Sequence, residues 1–361
     1  MQQIADFVDA ARVALVTTPG FRRRGIVDTV SNAFGSRLIA IVDDVKPNPG
    51  VDDLEVQSGR LRAERPDTLI ALGGGSTIDT AKALARLLTQ PEGTCLMELL
   101  REGAPIEDAP AVPIVAVPTT AGTGAEVTPF GTVWNHSEKK KYSIVGEDLF
   151  PQLAILDPEL TRELPAEITV ASGLDAISHA LESTWNRNAT PVTLGLATKS
   201  LQLSMQSLAA ATENPDNIKA RSGMMQASML AGLAISQSRT ALAHSISYPL
   251  TANFNLPHGL ACSFTLPALL TFNAEVDDGR LAHLARGVGY AGTDVLAVEL
   301  TALLERLGIG EILARYLPDR SSILALSGQM FAPGRAENNL RDATEDQVRA
   351  LVTDSLDALG S

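Results

Sequence analysis

Residues 68–82, TLIALGGGSTIDTAK, carry the reading that decides the fold. Thr68–Leu72 is short and almost wholly apolar, as a strand buried on both faces should be. Gly73, Gly74, Gly75 and Ser76 follow it, and a helical stretch, Thr77–Leu88, begins at once. Glycines at such a turn let an anion approach the backbone, and the first N–H groups of the helix face that anion. The same glycines also serve as plain strand-to-helix punctuation. The pattern is not GxGxxG, so it differs in detail from the usual Rossmann fingerprint. Asp79 and Lys82, on the same helix, read as an isolated ion pair.

Outward from this unit, four more runs of the same character occur in the first 160 residues: Arg12–Thr18 (RVALVTT), Arg37–Asp43 (RLIAIVD), Pro113–Pro118 (PIVAVP) and Leu153–Leu156 (LAIL). Helical stretches between them make βαβ units, hence a parallel sheet covered on both faces. After Asp157 the pattern changes to long helical segments, such as Thr169–Ser183, Pro191–Thr212 and Asn217–Ser236, with no strand pattern. The expected fold class is α/β, with an N-terminal parallel-sheet dinucleotide-binding domain over residues 1–160. A C-terminal all-helical domain that carries metal and substrate follows over 161–361. Ligands of such sheets sit outside the carboxyl ends of the strands, which places the site in the cleft facing the helical domain. A second small-residue loop, Thr119-Thr120-Ala121-Gly122-Thr123-Gly124-Ala125-Glu126, follows the Pro113–Pro118 run and also suits phosphate or nicotinamide contact.

A chain of 361 residues suits two domains. Its apolar fraction of 45% with 20% charged residues is that of a globular protein, and no apolar run approaches the length needed to span a bilayer. The N-terminus carries acidic residues where a secretory signal would be basic, so the expected location is cytoplasmic. A net charge of −13 argues against nucleic acid and anionic membranes as partners. Cys95 and Cys262 are the only cysteines, and they read as reduced thiols.

The five histidines are informative by their scarcity. Asp175 and His179, four residues apart in SGLDAISHALES, share one helix face. His244 stands in AHSISYPL and His258 in LPHGL. One carboxylate and three imidazoles make a site for a divalent cation such as Fe²⁺ or Zn²⁺; by spacing alone they are equally a helix-surface pair plus scattered histidines. His136 and His283 read as surface or satisfied core residues.

Taken in order, GGGSTIDTAK, PTTAGTGAE, LDPELT, GLDAISHALES and AHSISYPL…NLPHGLA resemble the iron-containing (group III) alcohol dehydrogenases over residues 12–275, with a weaker match at Asn339–Asp342. The resemblance implies an α/β domain plus a helical domain, a homodimer, and Asp175, His179, His244 and His258 as metal ligands. It also implies NADH or NADPH held by Gly73–Thr77 (Gly73, Gly74, Gly75, Ser76, Thr77) and by Thr119, Thr120 and Thr123, with Lys141 nearby. The reaction is then reduction of an aldehyde to an alcohol. A related cyclase of the dehydroquinate synthase type is the competing class; it normally lacks the Asp-His-His-His set.

Two positions depart from the family pattern. Many members have a proton-relaying histidine where this chain has Tyr248, which is then either a pocket wall or an acid. NAD-preferring members often end the first strand on an aspartate, where this chain has Thr18. A 2′-phosphate is therefore not repelled there, and Arg22, Arg23 or Arg24 is in range unless the three are simply solvated.

Arg239 lies five residues before His244, where relatives usually carry a small or apolar residue. A guanidinium beside a metal ligand suits an anionic substrate; the bland alternative is an ion pair at the domain boundary. SRTALAHSISYPL and the RRRG start resemble a subgroup associated with phosphonate metabolism, which reduces phosphonoacetaldehyde to 2-hydroxyethylphosphonate. Sulfoacetaldehyde and maleylacetate reductases are the neighbouring alternatives for a small anionic aldehyde or alcohol partner.

Overall fold

The apolar runs form strands in the computed structural model, which describes residues 2–102, 109–138 and 140–360. They are β1 (Val13–Val16), β2 (Leu38–Val42), β3 (Thr68–Gly73) and β4 (Ile114–Pro118), with β7 (Leu153–Ala154) after a hairpin. All pair in parallel, in the order β2-β1-β3-β4-β7. Alternation sends Ala14, Val16, Leu69, Ala71, Ile114 and Ala116 to one face, where Leu54, Leu61, Ile78 and Leu84 cover them. Val13, Leu15, Ile70, Leu72, Val115 and Val117 go to the other, under Phe21, Val27, Val30 and Phe34. The two edge strands, β2 and β7, depart from complete burial, because each has a neighbour on one side alone.

One strand pair was not anticipated. β5 (Phe130–Asn135) and β6 (Lys140–Val145) form an antiparallel hairpin, with Val133 and Ile144 in the core and most outward residues half-exposed. The helix Gly75–Leu87 anchors it. Lys82 Nζ donates to the carbonyls of Ala125, Thr128 and Phe130 at 2.7, 2.7 and 2.8 Å, and Asp79 Oδ2 accepts the Thr132 N–H at 3.0 Å. The expected isolated Asp79–Lys82 pair is thus part of a buried network. Burial raises Asp79 to about 6 and Glu126 to about 7, and lowers Lys82 to about 8.

The chain divides into two compact units, residues 1–119 with 125–160, and residues 120–124 with 161–361. In the second, Ala166–Thr184, Pro191–Glu213 and Ile218–Ser238 pack on one another, the last two opened by side-chain caps from Thr190 and Asn217. Cys95 and Cys262 are free. Among the described residues no single helix is long and apolar enough to cross a membrane.

Candidate metal centre and cofactor-binding loops

The Ala166–Thr184 helix is buried along most of its length and carries three buried ionisable residues, Asp175, His179 and Glu182, at i, i+4 and i+7 on one face. His244 comes from the first turn of Leu242–Phe254, and His258 opens the short helix His258–Ala261. Gly259 makes that last placement possible: a Cβ there would stand 1.8 Å from the Ala171 carbonyl oxygen. A backbone approach of this kind admits only glycine.

Around Asp175 Oδ1 the Nε2 atoms of His179, His244 and His258 lie at 3.6, 3.5 and 4.0 Å. The opposite ring nitrogens are spoken for. His179 Nδ1 lies 3.3 Å from the Gly122 carbonyl, and His244 Nδ1 lies 2.5 Å from Glu182 Oε2. With the rings neutral, as metal binding requires, each Nδ1 donates and each Nε2 presents a lone pair to the common point. His244 Nε2 is buried with no hydrogen-bond partner. A buried acceptor left in this state normally costs stability, and a cation removes the cost. Donor atoms bound at about 2.1 Å to one ion stand roughly 3–3.5 Å apart, close to the separations seen, so the residues fit a divalent metal.

The charges agree. Burial alone would raise Asp175, but the three imidazoles outweigh it and hold its carboxyl well below the ordinary range. Burial opposes charge on His244 as well, yet Glu182 and Asp175 push that ring up to about 10. His179, more affected by burial than by Asp175, is lowered. The site holds surplus negative charge that a cation would neutralise.

Cys262 was not singled out from the sequence. Donor atoms of Asp175, His244, His258 and Cys262 all lie within 4.8 Å of one another. Its thiol, however, donates to Asp175 Oδ1 at 3.4 Å and to the His258 carbonyl at 3.1 Å, and burial followed by the Asp175 charge pushes it well above its ordinary value. His179 Nε2, 3.6 Å from Asp175 Oδ1 with its Nδ1 on the Gly122 carbonyl, is the other candidate for a fourth donor. Glu182 was missed too, although its i+7 spacing from Asp175 was open to reading.

Tyr248, half-buried, stacks on His258 with ring centroids 6.3 Å apart, and its hydroxyl accepts from Arg335 Nε at 3.3 Å. Arg239 ends the Ile218–Ser238 helix at φ 69° and ψ 177°. That region is nearly exclusive to glycine and costs about 1–3 kcal/mol for other residues. Hydrogen bonds enforce it. The Arg239 carbonyl accepts from Asn186 Nδ2 at 3.1 Å and Ser238 Oγ at 3.2 Å, while its N–H donates to Ile235 O at 2.9 Å. Burial, then the charge of Arg335, lower the Arg239 pKa. The charge that perturbs it is that of a second arginine.

In the first unit, the strand order reverses between β1 and β3, and such switch points open a crevice at the carboxyl ends. Thr18 follows β1, and Gly73–Thr77 follows β3. Thr17 Oγ1 donates to Leu72 O at 2.7 Å and Thr119 N to Gly73 O at 3.0 Å, aligning the three strand ends. Gly73 is required sterically, since a Cβ would stand 2.2 Å from Thr77 Oγ1. The N–H groups of Gly75 and Ser76 precede the first intrahelical bonds, which Thr77 and Ile78 make to Gly74 O. Lys141, on β6, is near enough to Asp79 for its charge to be felt there. Arg22 pairs with Asp43, and Arg24 lies over the Phe21 ring at 4.4 Å. Thr120 and Thr123 belong to the loop of the second unit, where a Cβ on Gly122 would stand 2.4 Å from Ser172 O and one on Gly124 would stand 2.4 Å from Gly232 Cα.

Comparison with known proteins agrees with this chemistry. Residues 1–158 match the family model for iron-containing alcohol dehydrogenase, and 169–356 match the model for the C-terminal region of the Fe-containing alcohol dehydrogenase family. The chain is 32% identical over 357 residues to the NAD-dependent methanol dehydrogenase of Bacillus methanolicus, covering 96% of this chain and 93% of that one. It is 36% identical over 297 residues to the phosphonoacetaldehyde reductase of Streptomyces viridochromogenes, covering 81% and 74%. The crystal structure of sulfoacetaldehyde reductase from Bifidobacterium kashiwanohense in complex with NAD+ superposes with a TM-score of 0.91 at 30% identity, covering 99% of this chain and 94% of that one. These matches decide for a dehydrogenase over a cyclase. The chain belongs to the iron-containing alcohol dehydrogenase family, oxidoreductases that interconvert alcohols and aldehydes with a nicotinamide cofactor.

Proposed function

We propose that this chain reduces a small anionic aldehyde, phosphonoacetaldehyde first among them, to the alcohol, here 2-hydroxyethylphosphonate. The reductant is NADPH or NADH. The observation that carries the reading is Arg239: a guanidinium held in a backbone conformation that disfavours every residue but glycine, five residues before His244. Strain of this kind persists where the surroundings enforce it, and it clusters at ligand clamps.

Asp175, His179, His244 and His258 hold the metal, with Glu182 fixing the His244 tautomer. When bound, a divalent ion supplies Lewis acidity to the aldehyde carbonyl, and the reduced nicotinamide supplies hydride. Arg239 binds the anionic end, and so orients the substrate. Tyr248 walls the site beside His258, and its oxygen accepts from Arg335. Gly73, Gly74, Gly75, Ser76 and Thr77 take the pyrophosphate on backbone N–H groups, with Thr119, Thr120, Thr123 and Lys141 completing the cofactor contacts. Thr18 leaves a 2′-phosphate unopposed. Arg23 is the arginine best suited to meet it, as Arg22 already pairs with Asp43.

Sulfoacetaldehyde is the second reading, favoured by the superposition on a reductase of that substrate. The test is a panel of phosphonoacetaldehyde, sulfoacetaldehyde and propanal with NADH and with NADPH. Higher kcat/KM for the anionic aldehydes supports the proposal; a preference for propanal overturns it.

A further inference from the structure

The sequence offered one arginine for the anion; the fold brings a second to the same place. The stretch from Met330 to Leu340 is laced to the segments that carry the site. Ser245, the residue after His244, donates its hydroxyl to Met330 O at 2.7 Å and accepts the Ala332 N–H at 2.6 Å. Asn338 Nδ2 donates to Thr240 O at 2.9 Å and to Gly334 O at 3.0 Å, and its carbonyl accepts from Arg187 N at 2.8 Å. Leu340 N donates to Trp185 O at 2.8 Å.

So pinned, Arg335 reaches Tyr248 Oη with Nε at 3.3 Å and the Gly334 carbonyl with Nη1 at 2.8 Å. Among the described residues it bonds to no carboxylate. Its charge is felt at Arg239, whose backbone carbonyl accepts from Asn186 and Ser238. Two guanidiniums that feel each other's charge repel, and a tetrahedral oxyanion that accepts from both relieves the repulsion.

We propose that Arg335 is the second arm of an anion clamp with Arg239, and that the pair selects a doubly charged phosphonate headgroup over a singly charged sulfonate. The inference rests on the anionic-aldehyde reading above. Phosphate-type groups carry close to two negative charges at slightly alkaline pH. Two guanidiniums balance that charge, whereas a sulfonate of the same shape leaves one positive charge uncompensated.

The test compares wild type, Arg335→Gln, Arg335→Lys and Arg239→Ala at pH 8, with phosphonoacetaldehyde, sulfoacetaldehyde and propanal. Calorimetric titration with the unreactive ethylphosphonate and ethanesulfonate accompanies the kinetics. Arg335→Gln is expected to raise KM for phosphonoacetaldehyde and to lower its kcat/KM roughly tenfold more than that for propanal. The phosphonate-to-sulfonate preference should fall by a similar factor, ethylphosphonate binding should weaken in parallel, and Arg335→Lys should recover part of each. Equal losses for all three aldehydes, or unchanged ethylphosphonate binding, overturns the inference. If Arg239→Ala is selective against the anionic aldehydes while Arg335→Gln is not, the inference alone fails. Where wild type shows no preference for anionic aldehydes and Arg239→Ala affects all three alike, the reading beneath it fails as well.

Discussion

Glu182 Oε2 accepts a 2.5 Å hydrogen bond from Nδ1 of His244, while its other oxygen accepts the His244 backbone N–H at 3.1 Å. The carboxylate thus fixes both the tautomer and the position of the ring, and leaves Nε2 for the metal. Removing a partner of this kind lowers metal affinity by about 10–100-fold. Glu182→Gln is expected to do so, measured by competition against a chelator of known affinity. Unaltered affinity would show that the carboxylate is only a buried counter-charge.

Arg239 yields a prediction in two parts. Arg239→Ala should lower kcat/KM for phosphonoacetaldehyde by roughly 30-fold or more, with a smaller loss for propanal, because a desolvated charge pair loses one partner. Arg239→Gly should lose activity in the same way, yet be more stable than Arg239→Ala by about 1–3 kcal/mol in denaturant unfolding, since glycine accepts φ 69° without strain. Equal stability of the two variants would remove the backbone argument.

The proposed cofactor choice turns on Thr18, two residues past the end of β1. NADPH is expected to be used at least comparably to NADH, and Thr18→Asp to shift preference toward NADH by repelling the 2′-phosphate. Ratios of kcat/KM for the two cofactors decide this; strict NADH dependence in the unchanged protein contradicts it.

The buried Asp79, Lys82 and Glu126 network predicts a pH signature for stability. Burial raises Glu126 from 4.5 to about 7, so the folded state holds the proton more tightly than the unfolded one. Its contribution is complete below pH 4.5 and is lost as pH rises toward 7. Against Glu126→Gln, which cannot titrate, the wild-type stability advantage should fall by roughly 3 kcal/mol across that window. Parallel pH profiles would show that Glu126 titrates with its ordinary value.

Much of this architecture was legible before any coordinates. Buried parallel strands are short continuous apolar runs, and β1, β3 and β4 coincide with such runs to within two residues at each end. The β5–β6 hairpin escaped because neither strand is a continuous apolar run and no Asn-Gly or Asp-Gly turn marks it. Asp175 and His179 declared themselves by helical spacing, and Glu182 stood on the same face one turn further on. Arg335 carried no such signal. It lies in irregular chain far from every other site residue in sequence, and hydrogen bonds such as those made by Ser245 and Asn338 bring it there. The strain at Arg239 is likewise a property of the backbone that no residue pattern announces.

The central claim is that Asp175, His179, His244 and His258 hold a catalytically required divalent metal. The most direct measurement combines elemental analysis with cofactor-oxidation assays on phosphonoacetaldehyde, for native, chelator-treated, reloaded and His244→Ala protein. The expected result is one divalent ion per chain, loss of turnover on its removal, recovery with Fe²⁺ or Zn²⁺, and neither metal nor turnover in His244→Ala. Full turnover in metal-free protein, or in His244→Ala, contradicts the account.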